Sequence, residues 1–298
     1  MPSSHPLPPR RSVKIGPPPP APSRPTVAAR PAPPSTEMPA FVRCAVRGAS
    51  VCHTGKVRRV NEDAFLAGAV FSSGSAEEPV AIEIAASPWI VAVSDGIGGH
   101  RAGAEASREV VAALAACKRV TPNSVAEILH RLNCHLCERG KKERDYAAMG
   151  ATVAGLGCGG RGLFAFHVGD SRIYRQDGDG LVQITRDDSE AEDLIDQGLL
   201  ERTEGKRPGF LHALTQAIGG REEVEEIVVH VQPLRITGRT RFLVCSDGLT
   251  DMLHAPEIRA IMLAERETAA VVAALSAGAM AAGGMDNITI AVVDVEPV

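Results

Sequence analysis

Apolar residues run almost unbroken through Trp89 to Val93, Leu163 to Val168 and Phe242 to Cys245, with β-branched side chains prominent. Short runs of this kind, bounded by glycines and acids, predict buried strands. Further strands are expected over 41–52, 64–67, 149–156, 173–175, 181–184 and 224–231, and from Asp286 to Asp294. The spacing turns helical from Gly103 to Lys118. It does so again after Thr121 and Pro122, a cap followed by proline at the first helical position, where Val125, Ile128, Leu129, Leu132 and Leu136 form one apolar stripe. That stripe is core and carries no chemistry. An acidic helix is expected from Thr185 to Leu200, and two more over 256–263 and 268–282, the last stopped by Gly283 and Gly284. The small, polar stretch 72–88 reads as a hairpin loop, and the polar run 201–209 as part of an inserted segment of the kind that gates access to a site.

Candidate chemistry collects where the strands stop. Asp95 closes the Trp89 run and is followed by Gly96, Gly98 and Gly99, which let the chain turn sharply and expose bare backbone. Ser246, Asp247 and Gly248 repeat that arrangement. Asp170 sits in a turn between two strands, Asp286 opens the last strand, and Glu62 and Asp63 precede Ala64. Each acid alone is equally well explained as a turn or capping residue. Together they are costly at buried strand ends unless positive charge balances them. Oxygen donors without a His/Cys set select hard cations such as Mg²⁺ or Mn²⁺, and several carboxylates can bridge two of them. A water held between two cations ionises near neutral pH and can attack a phosphoryl centre in line. Arg58, in the charged octapeptide from Lys56 to Asp63, offers a planar fork for phosphate oxygens; the octapeptide otherwise reads as a solvated turn.

Composition narrows the class. Residues 1–40 hold most of the prolines, including Pro17 to Pro20, and few large apolar side chains, so they are expected to form a disordered tail, a docking arm for a proline-binding module. The folded domain then spans 41–298. Hydrophobic residues make up 44% and aromatics only 3%, which demands a sizeable core built from aliphatic side chains. A net charge of -4 argues against nucleic-acid binding by the chain as a whole. No run is long enough for a membrane span, no hydrophobic signal segment stands near Met1, and seven scattered cysteines fit reduced thiols, so a cytoplasmic location is expected. Cys134 and Cys137 have zinc-like spacing, but they lack a second pair and fall inside a helix, where a buried face explains them.

Six blocks in order now carry a resemblance: Arg58 to Asp63, Ser94 to His100 with Gly103, Ala106 and Ser107, Met149 to Thr152, Gly169 to Arg172, Ser246 to Asp251, and Gly284 to Thr289. The chain resembles the metal-dependent protein phosphatases, the PPM or protein phosphatase 2C family, in their bacterial form. The resemblance implies an α+β fold, a four-layer α-β-β-α sandwich of two central antiparallel sheets flanked by helices. It implies two Mn²⁺ or Mg²⁺ ions, with a weaker third site. Asp95 would bridge the two main ions, Gly96 would offer its carbonyl, Asp247 and Asp286 would hold the first ion, and Asp63 or Glu62 would stand near the second. Asp170 with Asp247 would form the third site, Arg58 would bind phosphate, and 186–220 would be a flap. Arg58, Asp95 and Asp247 are thus the expected catalytic residues. The implied reaction is hydrolysis of phosphoserine or phosphothreonine in proteins by a metal-bridging hydroxide, without a covalent enzyme intermediate. It opposes a cognate Ser/Thr kinase, in a monomer without nucleic-acid or membrane partners. Two rival readings are a catalytically silent binding module of the same fold and a phosphatase acting on an anti-sigma-factor antagonist in partner switching. Two departures stand out. Ile97 replaces a histidine that some members carry for leaving-group protonation, so water or His100 is left for that role, with water favoured; Ala151 replaces a common threonine.

Overall fold

The computed structural model describes residues 43–99, 101–201 and 213–298. The expected tail, Phe41, His100 and the middle of the inserted segment lie outside the described residues.

In chain order come strands β1 (Cys44–His53), β2 (Ala64–Ala67), β3 (Val70–Ser73), β4 (Ala76–Ile84), β5 (Trp89–Ser94) and β6 (Gly96–Ile97), then helices α1 (Arg101–Ala115) and α2 (Pro122–Lys142). Strands β7 (Gly150–Ala151), β8 (Val153–Gly159), β9 (Gly162–Val168), β10 (Arg172–Asp177) and β11 (Gly180–Gln183) lead to helix α3 (Glu190–Asp196). After β12 (Ile218–Gly219), β13 (His230–Pro233) and β14 (Thr240–Cys245), helices α4 (Asp247–Thr250), α5 (Ala255–Ala264) and α6 (Thr268–Ala281) precede the closing strand β15 (Ile288–Pro297).

Two antiparallel six-stranded sheets form, ordered β11-β10-β14-β15-β1-β4 and β13-β9-β8-β5-β2-β3, with a small third sheet, β12-β7-β6. Side-chain alternation along the strands explains the layering. Val91 and Val93 of β5 join Phe242 and Val244 of β14 and Ala291 and Val293 of β15 between the two sheets. The residues between them face outward: Ile90 and Ala92 pack under α1 and α2, while Leu243, Ile290 and Val292 pack under α5 and α6. The expected four-layer α-β-β-α sandwich is therefore observed. Because the central strands are covered on both faces, most of their positions rather than alternate ones are apolar, with His167, Thr289 and Asp294 among the polar exceptions. The start of α2 is a capping box, in which Thr121 Oγ1 accepts from Ser124 N (3.2 Å) and Ser124 Oγ from Thr121 N (3.0 Å).

Four expectations are corrected. Residues 76–84 form β4 rather than loop; this is an edge strand whose Glu77, Glu78 and Glu83 face solvent and whose Pro79 an edge tolerates, so its sequence reads as polar coil. The strand expected over 224–231 is confined to His230–Pro233, because Val228 is paired instead with the Gln216 side chain, through Val228 N to Oε1 (2.9 Å) and Nε2 to Val228 O (3.0 Å). Thr152 divides the 149–156 strand by pairing with Asp95 instead of continuing either ladder. The acidic helix begins only at Glu190, since the Thr185, Asp187 and Asp188 side chains are engaged in hydrogen bonds that hold an extended backbone. Cys134 is exposed and Cys137 buried on α2, consistent with a helix face rather than a metal pair.

Candidate metal centre

Strand register brings the acids to one end of the sandwich. Ala64 of β2 pairs with Ser94 of β5, so Asp63, which precedes one strand, and Asp95, which follows the other, share an edge. In the facing sheet Cys245 pairs with both Arg172 and Ile290, which places Asp247 between the turn carrying Asp170 and the approach carrying Asp286. Both sheets thus deliver carboxylates to one site.

Polar neighbours position each of them. Asp95 is clasped through its backbone, with Thr152 N donating to Asp95 O (2.9 Å) and Asp95 N to Thr152 Oγ1 (3.2 Å). Thr152 Oγ1 in turn shares a hydrogen bond with Ser171 Oγ (2.7 Å). Ser246 Oγ donates to Asp63 Oδ2 (2.8 Å) and accepts from Thr289 N (3.0 Å), joining the two sheets beneath the acids. Asn287 fastens the Arg58 loop: its Oδ1 accepts from Glu62 N, and its Nδ2 donates to Thr54 O, both at 2.8 Å. Gly55 and Gly248 let this loop and α4 approach closely, since a Cβ at either would lie 2.1 Å from Asp286 O or 1.9 Å from Asn287 O respectively.

The electrostatics show which carboxylates share the space. Asp63 is 1% exposed, and burial pushes its carboxyl up to about 7, with Asp247 and Asp286 adding to the rise and hydrogen bonds from Thr289 and Ser246 opposing it. Burial likewise raises Asp95 well above the carboxylate range, reinforced by Asp63, Asp247 and Asp170. Asp170 is raised by burial, then by Asp247, Asp187 and Asp251, with Arg172 opposing. Asp63, Asp95, Asp170, Asp247 and Asp286 are therefore one mutually repelling group. Arg58 Nη2 lies 2.7 Å from Asp286 Oδ2, and Glu62 and Asp95 also favour its charge. Glu62 Oε2 packs against Gly103 in the first turn of α1, where a Cβ would come within 2.1 Å. Gly96 is held equally closely, a Cβ there falling 2.2 Å from Gly103 O.

Asp251 belongs to the same cluster but was assigned no role from sequence; the available signal was its position four residues after Asp247, a spacing that puts both on one face of the α4 turn. Thr152, Ser171, Ser246 and Asn287 were also unassigned. Their signal is local, each being a polar residue within one position of a strand end.

The residues present fit divalent cations. Asp63 Oδ1 is fully buried and accepts no hydrogen bond, an expensive arrangement for an oxygen that nothing else engages. The donors around it are all oxygen, the set that suits Mg²⁺ or Mn²⁺, and the carboxylates' mutual repulsion is what such an ion would relieve.

Comparison with known proteins agrees with this geometry. The family model described as Protein phosphatase 2C matches residues 80–282. The chain belongs to the protein phosphatase 2C family. It is 31% identical over 265 residues to the serine/threonine protein phosphatase PstP of Mycobacterium tuberculosis, an alignment covering 86% of this chain and 46% of that protein. The chain thus spans about half the length of that relative. It is also 31% identical over 251 residues to the serine/threonine phosphatase stp of Listeria innocua, covering 80% of this chain and 92% of that one. Among solved structures, the catalytic domain of PstP in complex with two manganese ions superposes with a TM-score of 0.68 at 30% identity, covering 85% of this chain and 99% of that one.

Proposed function

We propose that this chain is a metal-dependent protein serine/threonine phosphatase acting on phosphoserine and phosphothreonine in proteins and opposing a Ser/Thr kinase. The observation that carries the proposal is the convergence of five aspartates, drawn from both sheets, beside the guanidinium of Arg58. Asp95, Asp247 and Asp286, with Asp63 and the Gly96 carbonyl, would hold two ions, Mn²⁺ or Mg²⁺. Asp170 with Asp247, joined here by Asp251, would supply a third position. Glu62 would act at longer range, from its seat on Gly103. Bound divalent ions supply Lewis acidity toward water and toward a phosphoryl group.

The chain's own residues do the remaining work. Ser246 and Thr152 hold Asp63 and Asp95 in place, so little reorganisation is needed as charge develops. Arg58, with a side chain 48% exposed, can turn from Asp286 to a phosphate. Ile97 offers no proton, so solvent is the leaving-group acid we favour. The first described limb of 186–220 is tied to the Asp170 turn by Arg172 and Asp187, joined through Nη2 and Oδ2 at 2.6 Å, which suits a flap beside the site. Among the described residues no helix is long and apolar enough to cross a membrane. A cytoplasmic monomer without nucleic-acid or membrane partners completes the proposal.

The test is hydrolysis of p-nitrophenyl phosphate and of a phosphothreonine peptide. Activity is expected with Mn²⁺ or Mg²⁺, to vanish in chelator and to return when metal is restored. Turnover unaffected by chelator would overturn the reading. In Arg58→Ala, KM for the small phosphoester should rise about 10- to 100-fold, the loss of one charge-assisted contact. A KM that does not move would remove Arg58 from phosphate binding.

A further inference from the structure

Behind the turn that carries Asp170, two imidazoles meet across the ladder between β9 and the edge strand β13. His167 and His230 are register partners, so both side chains leave the same face of the sheet. Their rings stack, with centroids 4.6 Å apart and planes 15° from parallel. Asp188 reaches the same place from the segment after β11, its Oδ1 lying 3.0 Å from His230 Nε2. One donor atom from each of the three lies within 4.8 Å of the others. We propose that His167, Asp188 and His230 form a separate transition-metal site, suited to a borderline ion such as Zn²⁺ or Co²⁺.

The surroundings match what metal ligands require. Burial, chiefly, holds the His167 imidazole below its ordinary pKa. Arg186 O, 2.8 Å from His167 Nε2, fixes that ring. Asp188 Oδ2 accepts from Gly169 N (2.8 Å) and Gln216 Nε2 (2.7 Å), which orients the carboxylate from behind as outer partners do in metal sites. The His230 side chain is 38% exposed and stands on an edge strand, which provides both an entry path and the freedom to close. Bonds of about 2.0–2.1 Å in tetrahedral geometry need donors about 3.3 Å apart, a spacing that His230 Nε2 and Asp188 Oδ1 already approach at 3.0 Å. Two nitrogens and one carboxylate set this site apart from the all-oxygen centre.

An ion here would brace the turn that carries Asp170. Asp188 N donates to Gly169 O (3.1 Å), and Asp188 O accepts from Thr215 N (2.9 Å). The ion would therefore link β9, β13 and both described limbs of the 186–220 segment.

The test does not depend on phosphatase activity. The full chain is held in excess Mg²⁺, which occupies oxygen donors and is a poor imidazole ligand, and is titrated with Co²⁺. A visible ligand-field band of tetrahedral character should grow and saturate with a single Co²⁺. Zn²⁺ should displace it and raise Tm by roughly 5 °C. Both responses should be lost in His230→Ala and in Asp188→Asn, with circular dichroism unchanged; His230→Gln replaces the alanine variant if that one fails to fold. No saturating band in the parent chain, or the same band in the variants, would overturn the proposal.

Discussion

Metal-dependent hydrolysis of p-nitrophenyl phosphate is expected to fall about a thousandfold or more in Asp247→Asn, and equally in Asp95→Asn. Lewis-acid stabilisation of a phosphoryl transition state amounts to several kcal/mol, and each 1.36 kcal/mol is about tenfold in rate. Asp95 couples to Asp63, Asp170 and Asp247, so it stands at the electrostatic middle of the group. Asp247 couples to Asp63, Asp95 and Asp170. Neutralising either weakens the site for every ion it would hold. Both variants should keep their fold, because asparagine is nearly isosteric and relieves repulsion, and unchanged circular dichroism would verify this. Turnover within tenfold of the parent in either variant would place the chemistry elsewhere.

The second large effect concerns the chain stripped of metal. The Asp63 carboxyl is pushed from an ordinary value of 3.8 up to about 7 in the folded state. Between those values the folded chain keeps a proton that the unfolded chain has lost. Stability therefore falls as pH rises through that window and levels off above about 7, with a slope of about 1.4 kcal/mol per pH unit for a single proton. Asp95 and Asp170 are raised as well and act in the same direction. In chelator, Tm measured from pH 5 to pH 8 should decline, most steeply below about pH 7. With Mn²⁺ present the decline should be reversed at the upper end, since an ion that binds only the folded carboxylates stabilises it by mass action. Asp63→Asn should reduce the decline in chelator. A Tm in chelator that is flat or rising across this range would contradict the coupled carboxylate group.

Much of the fold was legible because the central strands are covered on both sides. β5, β9, β14 and β15 then carry runs of consecutive apolar residues, a signal that survives without knowledge of their partners. Legibility failed where a backbone finds a partner other than a ladder. β4 is an edge strand with a solvent face, and residues before His230 pair with the Gln216 side chain. Sequence spacing does not encode either circumstance.

For the proposed site, the residue types point to the chemistry in advance: acids following or preceding buried runs, without histidine or cysteine among them, favour hard cations. Register and sheet packing decided which acids meet. Asp63 and Asp95 meet because Ala64 opposes Ser94, while Asp251 joins them and Glu62 turns toward Gly103. The pairing of His167 with His230, and the approach of Asp188 to both, lay equally beyond the linear chain. Local sequence sets the preference of each segment, whereas the distance between residues far apart in the chain is set only when the sheets pair and pack.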